Sequence, residues 1–394
     1  MLKEKTVVLG VTGSIAAYKI ANLARMLVKQ HCEVHVLMTQ NATNFINPIT
    51  FETLTKHKCL IDTFDRNFEF SVEHVALAKA ADMVMIAPAS ANVIGKIANG
   101  IADDMLTTTV MACPCKKIVS PAMNHNMFHN PIVQDNIEKL KHYGYEIVEP
   151  AHGMLANGDM GDGRMPDEEL LFEYIVKEIA FEKDMTGKKV LVTAGATVEA
   201  IDPVRFITNH SSGKMGFALA KNAMLRGADV TLVMGKCDSE PPVFVNTVKV
   251  QSAKDMYDAV IERADSMDII VKAAAVADYR PKNVSSEKVK KQDGNMSIEL
   301  ERTDDILKTL GERKNGQFIC GFSMETENML ENSRKKLEKK NCDMIVANNL
   351  KQDGAGFGGN TNIVTLITKD DEVQLEKMTK DEVAEKIFDF ILSR

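Results

Sequence analysis

The chain has 394 residues, 45% of them apolar, and its 48 basic and 55 acidic side chains leave a net charge of -7. That length exceeds one ordinary core and predicts two domains, while the lack of a dense basic block argues against a nucleic-acid partner. No run of about eighteen apolar residues is present, so no membrane span is expected, and the odd, scattered set of seven cysteines fits a reducing cytoplasm.

In chain order, KTVVLG (5–10) reads as a buried strand that runs into VTGSIAAYK, where apolar residues resume at helical spacing. Gly13 and Ser14 form a tight turn with a hydroxyl at a helix start, a place that suits a phosphate or simply close packing. HVLMT, ending at Thr39, is a second strand. MVMIAPAS follows, with Ser90 and Asn92 at its end, and Thr107 lies on the next polar edge. KIVSPAMN carries Asn124 at a further strand end. Strands that stop in small or polar residues before helices predict a parallel sheet with ligand loops at its carboxyl edge.

LANGDMGDGRM (155–165) is glycine-rich and is read as a loop able to close over a ligand. Asp159 and Asp162 lack the spacing and closing glutamate of a calcium loop. The polar stretch EKDMTGKK marks a seam, giving domains at 1–181 and 190–394 joined by a linker at 182–189.

The strand–loop–helix pattern then restarts. KKVLVTAGAT precedes a helix expected from about Gly213 to Leu225, and DVTLVMG, DIIVKAAAVADYR, FICGFSMET, DMIVANN and NIVTLIT supply further strands. Ser211-Ser212-Gly213-Lys214 resembles a phosphate-binding P-loop, but Thr208 stands where its first glycine is needed. The Gly10–Gly13 turn is not the G-x-G-x-x-G pattern, and a nicotinamide-dinucleotide oxidoreductase would need a true glycine fingerprint together with an acidic residue closing the second strand, neither of which is convincing here. The fold class expected is α/β, two tandem Rossmann-like three-layer domains with mainly parallel sheets.

Several motifs together carry a family resemblance. GSIAAYK, EHVALAKAADMVMIAPASANVIGKIANGIADDML, PAMN and G-D-x-G-x-GRM resemble the flavin-dependent cysteine decarboxylases. With ATVEAIDPVRFITNHSSGKMG, KAAAVADYRP and EKVKK, nearly the whole chain resembles the bacterial bifunctional phosphopantothenoylcysteine decarboxylase/phosphopantothenate–cysteine ligases of coenzyme A biosynthesis. The resemblance implies CTP-dependent ligation of cysteine to 4'-phosphopantothenate through an acyl-cytidylate. FMN-dependent decarboxylation of 4'-phosphopantothenoylcysteine to 4'-phosphopantetheine follows.

For the first domain it implies FMN held by Gly13, Ser14, Thr39, Ser90, Asn92 and Thr107, with His74 catalytic and acting on the thiol side of the substrate. Asn124 would grip the substrate carboxylate, with Met127, Gly158, Arg164 and Met165 nearby. The clamp commonly reads Leu-Ala-Cys-Gly, whose cysteine supplies a proton in the closing reduction. This chain has Leu155-Ala156-Asn157-Gly158, and an amide cannot replace a thiol as an acid. Two outcomes stay open: another donor completes the reaction, or an active ligase is joined to a decarboxylase that stalls at the oxidised or ene-thiol stage. A flavin-storing protein without turnover is a third reading, which the ligase motifs oppose.

For the second domain the resemblance implies catalytic roles for Asn209 at the activated carboxylate and Lys288 at the transferring phosphoryl group. Ala274, Asp278, Phe322, Lys336 and Lys340 would meet CTP or phosphate, with Mg2+ at Asp278. It also implies a homo-oligomer, trimeric through the first domain and dimeric through the second, which combine into a dodecamer.

Overall fold

A computed structural model describes residues 2–63, 73–155, 158–290, 296–325, 328–349 and 359–394. They form two compact units, Met1–Phe181 and Glu182–Arg394. Residues 182–189, expected as a linker, fold with the second unit. Met185 is fully buried, Lys183 Nζ donates to Leu225 O at 2.6 Å, and Asp184 receives the Arg226 guanidinium at 2.5 Å.

The first unit contains β1 Thr6–Val11, β2 Glu33–Met38, β3 Met83–Ala89, β4 Lys116–Pro121, β5 Glu146–Ile147, β6 Ala151–Met154 and β7 Met160–Arg164. The first five make one parallel sheet ordered β2-β1-β3-β4-β5. β1 and β3 are buried at every position, as apolar runs covered by helices on both faces require. Strand order reverses between β1 and β3, so the crevice beyond their carboxyl ends is the ligand position of this topology. Helix Ala91–Ala98 starts there, N-capped by Ser90, whose hydroxyl accepts from Val93 N at 3.4 Å.

The glycine-rich stretch expected as a loop is instead half of an antiparallel hairpin. β6 pairs with β7, and the turn closes through Leu155 N to Asp159 O at 2.8 Å. Glycine allows this because β7 lies directly on the segment after β4: an added Cβ on Gly163 would sit 2.3 Å from Met123 O.

The second unit contains β8 Lys189–Ala194, β9 Val198–Ala200, β10 Phe206–Thr208, β11 Asp229–Met234, β12 Asn246–Lys249, β13 Ile269–Lys272, β14 Tyr279–Pro281 and β15 Leu300–Arg302. They are followed by β16 Phe318–Glu325, β17 Met344–Asn349, β18 Thr361–Asn362, β19 Val364–Ile367, β20 Glu372–Gln374 and β21 Met378–Thr379. Its eight-stranded sheet runs β12-β11-β8-β13-β16-β17-β19-β20, parallel except that β19 is antiparallel to both its neighbours, β17 and β20. The order reverses between β8 and β13. Helix Lys214–Leu225 packs on β8 through Gly216, where a Cβ would come within 2.5 Å of Ala194 Cβ. Both units are thus α/β with mainly parallel sheets.

Candidate functional site

In the first unit, Thr12 ties the two switch-point loops together. It is wholly buried, donates to Pro88 O at 2.6 Å and accepts from Ser90 N at 2.9 Å. Gly13, next in chain, must lack a side chain, because a Cβ would lie 2.8 Å from Asn41 Cβ. Thr39, just beyond β2, holds a buried hydroxyl that has no hydrogen-bond partner among the described residues. An orphan hydroxyl costs about 1–3 kcal/mol, and a cradle of small residues beside it has the character of a site awaiting a polar ligand.

A cavity of about 510 Å³ lies alongside, lined by Ser14, Lys19, Asn124, Leu155, Arg164 and Met165 among others. It joins residues from the β1 turn, the segment after β4 and the hairpin. Ile15, Tyr18 and Met154 give it an apolar rim. Asn124 caps the short helix His125–Phe128, its Oδ1 accepting from Asn126 N at 2.9 Å, so the Nδ2 amide is the group left to meet a carboxylate. Lys19 pairs with Asp167 at 2.9 Å and holds that carboxyl below its usual range.

The hairpin carries Met154, Leu155 and Arg164 and is docked on the residues either side of Asn124. Met123 N donates to Gly163 O at 3.0 Å and Asp162 N donates to His125 Nδ1 at 3.1 Å. Other expected residues lie elsewhere. His74 is half-buried on helix Glu73–Ala80 and does not line the cavity. Asn92, Met127 and Gly158 are exposed. Thr107 is fully buried and donates to Asp104 Oδ1 at 2.8 Å within a capping box. Asn157 lies outside the described residues.

In the second unit two cavities of about 280 and 390 Å³ share Lys272, Val276, Asp278 and Lys336. The first also collects Ser212, Gly213, Ala274, Phe322 and Asn348, and the second Asp305 and Lys340. Buried threonines again fasten the loops: Ala274 N donates to Thr193 Oγ1 at 3.0 Å and Ala277 N to Thr197 Oγ1 at 2.9 Å. Lys336 Nζ donates to Phe322 O at 2.9 Å, and Lys340 pairs with Asp305.

Lys272 and Asp202 were not singled out from sequence. Lys272 ends β13 and stands at the junction of both cavities, its ammonium pushed down to about 8, first by burial and then by Lys336. An ionisable residue closing the apolar run IIV was the available signal. Asp202 is buried and gathers Val204 N at 2.9 Å, Arg205 N at 2.8 Å, the Arg205 guanidinium at 2.5 Å and Val289 N at 3.1 Å. Those bonds, the Arg205 guanidinium foremost, hold its carboxyl well below the usual range. They also anchor the segment bearing Lys288, itself exposed and not in either cavity lining. Asn209 is exposed, its Nδ2 donating to Ala275 O at 3.2 Å.

The chain matches two family models: "Flavoprotein" over residues 1–180 and "DNA/pantothenate metabolism flavoprotein C-terminal domain" over residues 185–394. It is similar to the coenzyme A biosynthesis bifunctional protein CoaBC of Bacillus subtilis (strain 168), with 48% identity over 373 residues, 94% of this chain and 92% of that protein. The protein of that name from Borreliella burgdorferi is 40% identical over 390 residues, 98% of this chain and 99% of the other. Among solved structures, the C-terminal domain of a CoaBC protein is 49% identical, covers 52% of this chain and 95% of that one, and has a TM-score of 0.46.

Proposed function

Because the chain belongs to the family of bifunctional coenzyme A biosynthesis proteins, pairing a decarboxylase with a ligase, we propose that each switch-point cavity performs one of two successive reactions. The second unit would join cysteine to 4'-phosphopantothenate at the cost of CTP, and the first would decarboxylate the resulting 4'-phosphopantothenoylcysteine to 4'-phosphopantetheine. The observation that carries this is the meeting of Lys272, Lys336, Lys340 and Arg302 with Asp278, Asp304 and the Lys340-paired Asp305 around one pair of cavities. Clustered ammonium groups favour a polyphosphate, and a carboxylate among them suits its Mg2+.

In the ligation, attack of the substrate carboxylate on the α-phosphorus of CTP breaks the α–β bridge and releases pyrophosphate. The acyl-cytidylate then gives its acyl group to the cysteine amine and leaves as CMP. Lys288, held by the Asp202 network, would offset charge on the transferring phosphoryl group, and Asn209 would orient the carboxylate. Ala274 and Phe322 line the same cavity, where the first would leave room beside the base and the second would pack near it.

In the first unit Gly13, Ser14, Thr39, Ser90, Asn92 and Thr107 would hold FMN, a fit supported by the orphan Thr39 hydroxyl and the Gly13 cradle. When bound, FMN supplies a reversible electron sink beside the carbon that loses carbon dioxide. Asn124 would hold the departing carboxylate by a neutral amide, which opposes its loss less than an ion pair would. Arg164 and Met165, which line the cavity from the hairpin side, would help to exclude water once substrate is bound. His74 would bind or deprotonate the thiol; since it is not among the residues lining this chain's own cavity, the site would be completed by a second copy in a trimer. Dimeric pairing of second units would extend the assembly to a dodecamer. Among the described residues no helix is long and apolar enough to cross a membrane, and cytoplasmic location is part of the same proposal.

A second reading rests on Asn157: decarboxylation proceeds, but the closing reduction lacks its acid and the product stays two hydrogens short. The nucleotide step is tested by counting products. CMP and pyrophosphate should appear in equal amounts with the amide; CDP and phosphate would refute the acyl-cytidylate.

A further inference from the structure

Beside the first-unit cavity, on the outer side of the hairpin, four side chains meet that none of the proposed chemistry uses. His125 and His129 lie one helical turn apart, an i,i+4 spacing that puts both imidazoles on one face, with ring centroids 4.4 Å apart. Asp162 reaches them from β7. One ligand atom from each of His125, His129 and Asp162 falls within 4.8 Å of the others. His129 Nε2 is 2.9 Å from Asp162 Oδ2, while His152 Nδ1, on β6, is 2.9 Å from Asp162 Oδ1.

We propose that His125, His129 and Asp162 bind a divalent first-row transition ion, with His152 fixing the carboxylate from outside. Two imidazoles and one carboxylate suit Zn2+, Co2+ or Ni2+, whereas Mg2+ and Ca2+ demand an oxygen shell. Three protein ligands plus water complete a tetrahedral zinc ion, and a hydrogen bond to the free carboxylate oxygen is the usual outer support of such a site. Binding exchanges the His129–Asp162 contact, and the bond from Asp162 N to His125 Nδ1, for metal–ligand bonds; the proton that His129 Nε2 donates to Asp162 is released, whereas His125 Nδ1 already accepts and carries none. Backbone shape favours the arrangement: β7 can approach the His125 ring only because residue 161 is glycine, where a Cβ would lie 2.7 Å from Nδ1.

The ion would join the hairpin to the helix that begins one residue after Asn124. It is therefore a clip between two walls of the cavity rather than a reactant within it. The ligand assignment does not depend on the reaction proposed for either unit.

The test is zinc titration of the chelator-stripped, dialysed full-length protein against a chromophoric chelator. One equivalent of competitive zinc binding per chain should vanish in the double variant His125→Asn, His129→Asn. His152→Asn should weaken it roughly tenfold, the effect expected of an outer-sphere partner. His57→Asn is the control, because Glu33, His35 and His57 form the other such group among the described residues, and it should leave this equivalent intact. Far-ultraviolet dichroism and retained flavin report folding of the variants. If the double variant misfolds, zinc K-edge absorption of the wild type still decides, with scattering from two imidazoles and an oxygen at about 2.0–2.2 Å expected. No zinc bound by the wild type, unchanged binding in a folded double variant, loss that follows His57→Asn, or an absorption edge without two imidazoles would overturn the site.

Discussion

Gly163 and Met123 meet backbone to backbone: the Gly163 carbonyl accepts from Met123 N–H at 3.0 Å, and a Cβ at residue 163 would stand 2.3 Å from Met123 O. The hairpin that bounds the first-unit cavity is therefore seated on the segment that carries Asn124. Residue 163 also has φ +119, a conformation closed to ordinary side chains. Gly163→Ala should unseat β7, at about 1–3 kcal/mol of local strain. Decarboxylation of supplied 4'-phosphopantothenoylcysteine should fall at least about tenfold in kcat/KM, with amide formation unchanged. Separate assays of carbon dioxide release and CMP release check this; equal loss in both would speak against a local effect.

Thr39→Val keeps the shape of a buried residue and removes a hydroxyl that has no partner among the described residues. The flavin-free protein should keep its thermal stability or gain up to about 1 kcal/mol, while FMN affinity drops roughly five- to tenfold. Flavin fluorescence titration and calorimetry measure the two. Unchanged affinity would remove Thr39 from the flavin site.

Lys272 predicts a pH dependence. Its pKa is lowered to about 8, so the ammonium is present below that pH and is lost as pH rises through it, well before an ordinary lysine titrates. The ligase kcat/KM for CTP should fall above about pH 8, approaching tenfold per unit. Lys272→Met should be weak throughout and lack this limb. An identical limb in the variant would assign the titration to another group.

Asp202→Asn tests positioning at a distance. Asp202 holds Val289, next to Lys288, through a hydrogen bond of 3.1 Å and holds Arg205, whose guanidinium donates to Val289 O at 2.8 Å. The variant should lower ligase kcat at least about tenfold while leaving the KM for CTP within a few fold. Amide exchange at Val289 should quicken, and decarboxylation should be untouched. An unchanged Val289 exchange rate would disconnect Asp202 from that segment.

Strands such as β1 and β3 were legible because a strand buried on both faces is written as an unbroken apolar run. Ser14, Asn124, Arg164 and Met165, expected from the sequence at a ligand, line one cavity. The hairpin was not, because its glycines signal a loop locally, and only contact with Met123 and His125 shows why they sit in a strand. Thr12 was missed for a related reason: its partners, Pro88 and Ser90, are 76 and 78 positions away. Asp202 owes its role to Val289, 87 positions on, and the 182–189 segment owes its place in the second unit to the burial of Met185 and the bonding of Asp184. Local pattern reports which residues are buried or turned, whereas these roles arise from pairings that chain closure creates.

The most direct measurement is a mass-resolved time course of the purified protein with 4'-phosphopantothenate, cysteine, CTP and Mg2+. The account predicts transient 4'-phosphopantothenoylcysteine followed by many turnovers of 4'-phosphopantetheine, with a donor other than residue 157 supplying the proton. Failure to form 4'-phosphopantothenoylcysteine would contradict the ligase assignment. A product two hydrogens poorer, halting at one equivalent per chain, would contradict the completed decarboxylation and place the block at Asn157.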